Sequence, residues 1–230
     1  EIAQSECATG KPFSRFWFHS EHLIVDEQKM AKSLGNTYPV PDVVAAGYRP
    51  SAVRYLLLSS HYRKQLNFTW ESLQQAEEAL RRLTDCLLRV ENVTADGSHP
   101  EVAARVDEAR QAFGEAMRAD LNTAGALGAM FELVRALNSA IDAGQLGHGD
   151  VPVVREAFAL FDLVLGILSL RRSEDEQPPV PVEEIERLIE ERHAARRRRD
   201  FAAADRVRDD LAARGVLLED SPAGTRWKRK

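Results

Sequence analysis

The sequence predicts a mainly α protein, with a fragment of α/β structure at its start and a small α+β unit at its end. Three observations carry that reading. Between residues 69 and 168, apolar residues recur at 3- and 4-residue spacing in four successive stretches. Ahead of them, Leu23-Ile24-Val25 is a short β-branched-rich run bounded by polar residues. At the far end, residues 216–220 and 225–228 flank a Ser-Pro-Ala-Gly turn and read as a hairpin.

The elements follow in order. Glu1-Ile2-Ala3-Gln4-Ser5-Glu6 reads as helix already under way, and Thr9-Gly10-Lys11-Pro12 as a turn. Phe13, Phe16, Trp17 and Phe18 form an aromatic cluster, expected in a core. Residues 23–25 read as a strand. One strand cannot hold a sheet by itself, so its neighbours are expected in an N-terminal α/β part outside this chain. Tyr38-Pro39-Val40-Pro41-Asp42 reads as an extended connector, since proline disfavours helix before it. Asp42 is expected to cap a short helix that Gly47 ends. Pro50 suits a first helical turn, with Val53, Leu56, Leu57 and Leu58 as the buried face.

Residues 61–68 read as a loop and Thr69 as the N-cap of a long helix. Its stripe is Leu73, Ala76, Leu80, Leu83 and Leu87. Asn92 to His99, with Asp96-Gly97, ends it. Three more stripes follow: Val102, Val106, Ala109, Phe113 and Met117; then Ala126, Met130, Leu133, Leu137 and Ile141; then Val154, Phe158, Phe161, Leu165 and Leu168. Residues 144–149 read as a flexible connection. Helices with single apolar stripes and short links must pack on one another, so a helical bundle is expected. Residues 171–181, charged and Pro-rich, read as a linker. Two short helices are expected near 182–195 and 200–214, with Gly215 ending the second.

Composition excludes several classes. A chain of 230 residues allows one or two domains with a buried core. Hydrophobic residues at 44% and charged residues at 29% exclude a disordered chain. No run approaches the roughly 20 apolar residues of a membrane span, and no signal peptide opens the chain. A cytoplasmic protein without membrane contact is expected. The chain begins at Glu1 rather than Met, which reads as part of a longer protein. Cys7 and Cys86 are too few for a disulfide framework and lack C-x-x-C spacing; a reducing compartment is expected. Net charge is −5, yet residues 182–230 hold 13 Lys/Arg against 11 Asp/Glu. That asymmetry suggests an anion-binding end on an acidic body.

The stretch with the most chemistry is Lys29-Met30-Ala31-Lys32-Ser33-Leu34-Gly35-Asn36. Two ammonium groups on a mobile loop can converge on phosphates and neutralise charge that develops as pyrophosphate leaves. A loop suits the task, because the clamp must close and reopen. For the bare pattern a solvated polar turn is the ordinary reading, and only its context points to the phosphate clamp. At the other end, Arg192, Arg196, Arg197, Arg198, Arg199, Arg206 and Arg208 lie on expected helices, and Arg226, Trp227, Lys228, Arg229 and Lys230 close the chain. A basic surface can hold phosphates, and Trp227 can stack on an unstacked base. A solvated helix face, with a Trp covering a small core, fits the same spacing. His22, His61, His99, His148 and His193 lie singly and suggest no triad.

Residues 29–33 resemble the K-M-S-K-S signature loop of class I aminoacyl-tRNA synthetases, and residues 26–36, with other stretches, resemble the D-x-x-K-M-S-K-S-L-G-N of the cysteinyl-tRNA synthetase family. Glu1-Ile2-Ala3-Gln4-Ser5 is similar to the end of its H-H-E-N-E-I-A-Q-S, and Phe16-Trp17-Phe18-His19 to its aromatic-Trp-x-His segment. Arg54-Tyr55-Leu56-Leu57-Leu58-Ser59-Ser60-His61-Tyr62-Arg63 with Leu66-Asn67-Phe68 resembles R-Y-x-L-L-S-x-H-Y-R-x-x-L-N. Phe113, Ala116, Met117, Asp120, Asn122 and Thr123 fit F-x-x-A-M-x-x-D-x-N-T. Residues 215–220 and 224–227 fit G-V-x-L-E-D…G-T-x-W.

The resemblance implies the end of a Rossmann-type catalytic domain with its signature loop (1–36). A helical connector facing the tRNA stem (37–95), a DALR-like helical bundle (96–172), a linker (173–181) and a small anticodon-binding domain (182–230) follow. It implies a ligase that activates L-cysteine with ATP and transfers it to cysteine tRNA, as a monomer using magnesium and one zinc per intact subunit. Lys29 and Lys32 would be catalytic, binding ATP together with Ser33. Ala31 departs from the family's Ser, for which a modest rate effect is expected. Glu1 aligns with a zinc ligand, a role expected only in the intact enzyme, where zinc would hold the substrate thiolate. Arg196, Arg197, Arg198, Arg199, Arg226, Trp227 and Lys228 would bind tRNA. The family's H-x-G-H-like ATP motif is absent before Lys29, so this chain alone is expected to be inactive. One alternative is a free-standing tRNA-binding or regulatory relative without ligase activity. Another is the related ligase that joins cysteine to an amino-sugar, against which the match at 215–227 argues.

Overall fold

The computed structural model describes residues 1–176, 180–198, 200–221 and 224–229, the backbone alone at 221, 224, 228 and 229. It divides into two compact units, Glu1–Leu165 and Gly166–Lys230.

The first unit opens with helix α1 (Ile2–Thr9), which buries no side chain and ends on left-handed Gly10. Strand β1 (Leu23–Val25) turns directly into β2 (Gln28–Lys29), antiparallel to it. On its other side β1 pairs in parallel with β3 (Leu66–Phe68), giving the order β2-β1-β3. The neighbours of β1 thus come from within this chain, correcting the expectation that they lie outside it. Residues 66–68, expected as loop, supply one of them. A three-residue strand becomes visible only through the backbone it pairs with.

Helices α2 (Val40–Ala45) and α3 (Pro50–Leu58) connect the sheet to the bundle. Asp42 sits inside the first turn of α2, and Pro39 holds the N-cap position expected for Asp42. Proline at N1 or N2 is tolerated there because those N–H groups have no intrahelical partner. The buried face of α3 is Ser51, Ala52 and Leu56, whereas Leu57 is exposed. The buried stripe is therefore rotated by part of a turn from the expected one.

Helix α4 (Trp70–Glu91) starts where Thr69 predicts, with a reciprocal capping box. The Ser72 N–H donates to Thr69 Oγ1, and the Thr69 N–H donates to Ser72 Oγ. Leu73, Ala76, Leu80 and Leu83 are buried. Beyond them Cys86 and Val90 continue the buried stripe in place of half-buried Leu87. Helices α5 (Pro100–Arg118), α6 (Thr123–Asp142) and α7 (Val151–Leu165) complete the bundle. Its centre is the stack of Phe113 on Phe161, ring centroids 4.6 Å apart, with Phe158 edge-on at 5.8 Å. Full burial of each Leu in such a core contributes about 1.5–3 kcal/mol.

The 144–149 connection is pinned rather than flexible. His148 N–H donates to Ala95 O and Gly149 N–H to Gly97 O. The buried carboxylate of Asp150 accepts from Ser98 Oγ, the His99 N–H and the Gly147 N–H. A Cβ at Gly147 would lie 2.5 Å from Gly97 O, so glycine permits the approach.

In the second unit, α8 (Leu168–Glu176) occupies part of the expected linker; residues 177–179 lie outside the described residues. Left-handed Gly166 separates its helical backbone from α7. Helices α9 (Val182–Arg197) and α10 (Phe201–Ala213) precede the antiparallel hairpin β4 (Val216–Ser221) and β5 (Gly224–Arg229). The core here is Val180, Ile185, Leu211 and Val216, with Leu188, Ile189, Val207, Leu218 and Trp227 packed against it.

Candidate functional site

The lysine loop grows out of the β1–β2 hairpin. Its two-residue turn, Asp26-Glu27, has φ of 47° and 63°. Left-handed backbone at both central residues matches the twist of a tight hairpin, though glycine would be the ordinary choice at the second position. Strand β3 holds the turn in place: Phe68 O accepts the Asp26 N–H at 3.2 Å and Asn67 Oδ1 accepts the Glu27 N–H at 3.0 Å. Beneath it, Val25 and Phe68 are buried, and they face each other in the parallel register. Phe68, Tyr38 and Trp70 form an aromatic cluster, centroids 5.1–5.8 Å apart. Both ends of the loop are therefore rooted in packed structure.

Lys29 ends β2, and Lys32 opens a short 3-10 turn (Lys32–Leu34) that left-handed Gly35 closes. Asn36 clasps the loop across its base. Its Oδ1 accepts the Ala31 N–H at 2.8 Å, and its Nδ2 donates to Lys29 O at 3.1 Å. That carboxamide fixes the backbone on either side of Met30 while the side chains of Lys29, Lys32 and Ser33 remain exposed. Among the described residues neither lysine has an ion-pair partner. The site offers two solvated ammonium groups and a hydroxyl on a braced turn, an arrangement able to receive a polyphosphate. Bracing runs through the backbone at residue 31, where Ala serves as well as Ser. The motif contained Asn36, but its role was invisible in sequence; an amide directly after Gly35 was the available signal.

Glu1 is exposed and makes no side-chain cap. Among the described residues no three His, Cys, Asp or Glu side chains come together as a metal site. One carboxylate does not make a zinc site, so the residues of this chain do not by themselves fit the ion. Cys7 is exposed; Cys86 is buried, and burial pushes its thiol up to about 11.

Phe13, Phe16, Trp17 and Phe18, expected in a core, are exposed; Phe16 is 89% exposed. Phe13 meets Trp17 at a tilt, Trp17 stacks on His19, and Phe18 stacks on Tyr62.

In the second unit the expected tRNA-binding residues part company. Arg196 reaches Asp220 Oδ2 at 3.2 Å, while Arg197 and Arg198 are exposed at the end of α9. Arg199 and the Lys228 side chain lie outside the described residues. Trp227 opposes Leu218 and packs on the core, whereas Arg226 opposes Glu219. Strand alternation therefore puts Trp227 and Arg226 on opposite faces of the hairpin. Between helix and hairpin, buried Arg192 donates to both Asp220 oxygens at 2.8 and 2.7 Å. Thr225 Oγ1 donates to the same carboxylate, and His193 lies 2.8 Å from that hydroxyl. The Arg192 guanidinium first, and the Thr225 hydroxyl second, hold Asp220 far below the usual carboxylate range.

Known proteins resemble the chain along its length. Residues 1–78 match the domain described as tRNA synthetases class I (C) catalytic domain. Residues 112–170 match the DALR domain, and 180–227 the Cysteinyl-tRNA ligase anticodon binding domain. A cysteine–tRNA ligase of Solibacter usitatus is 48% identical over 231 residues, covering 100% of this chain and 49% of that protein. Those of Geobacter sulfurreducens and Protochlamydia amoebophila are 42% and 39% identical, with 100% of this chain and 51% and 47% of theirs covered. The chain thus spans about half the length of the relatives it matches. Among solved structures, the Agrobacterium radiobacter K84 agnB2 LeuRS–tRNA–LeuAMS ternary complex matches 66% of this chain and 22% of its own. Its TM-score is 0.50 at 20% identity, a likeness of fold alone.

Proposed function

From a chain that belongs to the cysteine–tRNA ligase family and corresponds to the C-terminal part of its members, we propose that the intact protein joins L-cysteine to cysteine tRNA at the expense of ATP. The observation that carries this reading is the Asn36-clasped loop with two exposed lysines at the end of a buttressed hairpin. Lys29 and Lys32 bind the phosphates of ATP and, with Ser33 beside them, neutralise the charge that develops as the carboxylate of cysteine attacks and pyrophosphate departs. Preorganised cations act strongly there because little reorganisation remains at the moment of reaction. Magnesium, when bound, would share that charge beside the two lysines.

The segments 1–36, 37–95, 96–172 and 182–230 divide the work: signature loop, stem contact, bundle and anticodon recognition, with 173–181 joining the last two. Arg196, Arg197, Arg198, Arg199, Arg226 and Lys228 contribute the cationic groups for tRNA, while Trp227, the expected stacking ring, packs on the core of the second unit and supports the hairpin that carries Arg226. Glu1 is a zinc ligand in the intact enzyme only. The protein works as a cytoplasmic monomer. Among the described residues no helix is long and apolar enough to cross a membrane.

The test is cysteine-dependent ATP–pyrophosphate exchange by the intact ligase. Lys32→Ala is expected to lower the rate by about 10²–10³-fold, the effect of removing one transition-state donor. An unchanged rate would remove the lysine loop from the reaction. Tight binding of cysteine tRNA with no exchange activity in the intact protein would favour the non-enzymatic relative instead.

A further inference from the structure

A second constrained polar cluster lies at the α5–α6 corner, remote in sequence from the lysine loop. Asp120 and Leu121 are both left-handed, with φ of 57° and 53°. Adjacent non-glycine residues hold that conformation only where surrounding contacts impose it. The corner aims the Asp120 carboxylate at the segment that follows α3. Its Oδ1 accepts from Tyr62 Oη at 2.7 Å and its Oδ2 from Arg63 Nε at 2.6 Å. His61 Nε2 lies 3.9 Å from Oδ2. Arg63 in turn covers the Tyr62 ring at 5.0 Å. Tyr62 also grips the chain entering β1: it stacks on Phe18 at 4.2 Å, and its carbonyl accepts the Glu21 N–H.

From this clamp two strands run side by side. β1 and β3 are parallel, with Leu23 opposite Leu66, and three residues later they reach the Asp26-Glu27 turn. There Asn67 and Phe68 hold the turn's two N–H groups. Three residues of strand span only about 10 Å, so a shift at the clamp passes to the turn through paired backbone.

We propose that Asp120 is a positioning residue for the lysine loop: by gripping Tyr62 and Arg63 it sets where β1 and β3 start, and so where the hairpin holds Lys29 and Lys32. The inference rests on the reading of that loop as an ATP site. It assigns Asp120 no contact with nucleotide or tRNA.

Asp120→Asn keeps the preference for left-handed backbone and an oxygen for Tyr62, but loses the charge that fixes Arg63. In the intact ligase it is expected to raise the KM for ATP in pyrophosphate exchange about 3–10-fold with a smaller change in kcat. Amide exchange at Asp26 and Glu27 is expected to quicken several-fold while α4 and α6 stay protected. Arg63→Met should reproduce both effects, and Asp120→Glu should recover part of them. An unchanged ATP KM with unchanged exchange at the hairpin overturns the proposal. So does equal acceleration in α4 and α6, which marks general loss of stability, or a loss of tRNA affinity alone, which makes Arg63 an RNA contact. Lys32→Ala in the same assay separates the two readings. If it is silent, the ATP reading fails and hairpin exchange alone judges the clamp. If it is inactive while Asp120→Asn changes nothing, only the positioning inference fails.

Discussion

Single residues in this protein decide more than their exposure suggests. Asn36 contributes nothing to a core, yet its carboxamide closes the lysine loop with two hydrogen bonds. Asp150 does the same for the two loops at one end of the bundle. Burial acts to raise its carboxyl pKa; the N–H groups of Gly147 and His99, with the His99 ring and Ser98 hydroxyl, outweigh it and leave the pKa lowered. A carboxyl lowered in the folded state contributes stability above its unfolded pKa, near 4, and loses it as pH falls through the folded value. Asp150→Ala is therefore expected to lower stability by about 3 kcal/mol at pH 7, since it strands several buried donors. Urea unfolding should show the difference shrinking once the pH falls well below 4. In the sequence Asp150 is only a residue after a connection that reads as flexible; its partners Ser98 and His99 lie 52 and 51 positions away, beyond the reach of local pattern.

At the scale of elements, the long helices, β1 and the terminal hairpin were legible, and β2 and β3 were not. Thr69 and the Leu73–Leu80–Leu83 stripe specify α4, because capping and 3.6-residue periodicity are local properties. β3 has no such signature: Leu66, Asn67 and Phe68 become a strand only by pairing with β1. Aromatic residues 13–18 misled for a related reason, since hydrophobicity gives an appetite for burial but not what covers it. The β1–β2 hairpin carries a local conflict, because Glu27 adopts a conformation better suited to glycine. Glu27→Gly converts the turn to Asp-Gly and is expected to stabilise the hairpin by about 0.5–1 kcal/mol, net of glycine's entropy. Slower amide exchange at Lys29 and Ala31, with the bundle unchanged, would register it. No change would mean that the bonds from Asn67 and Phe68 already absorb the strain.

The whole molecule is two compact units, each with its own core, and the second depends on a polar lock as well as an apolar one. Arg192 is 1% exposed and tied to Asp220, which is 43% exposed. A fully buried pair broken on one side costs about 3–5 kcal/mol; solvent screening at Asp220 brings the expected loss for Arg192→Ala nearer 2 kcal/mol. Amides of α9, α10 and the β4–β5 hairpin should lose protection while those of α4 and α6 keep theirs. Uniform loss across both units would contradict independent cores. By itself the sequence determined the helical class, the terminal hairpin, the lysine motif and the family, because periodicity, caps and contiguous motifs are written in neighbouring residues. Only the tertiary structure decided that Asn36 and β3 brace the loop, that Asp120 faces Arg63, and that Trp227 turns toward a core while Arg226 turns away. Each of those facts depends on which distant backbones lie side by side, and strand register and left-handed corners set that once the chain has folded.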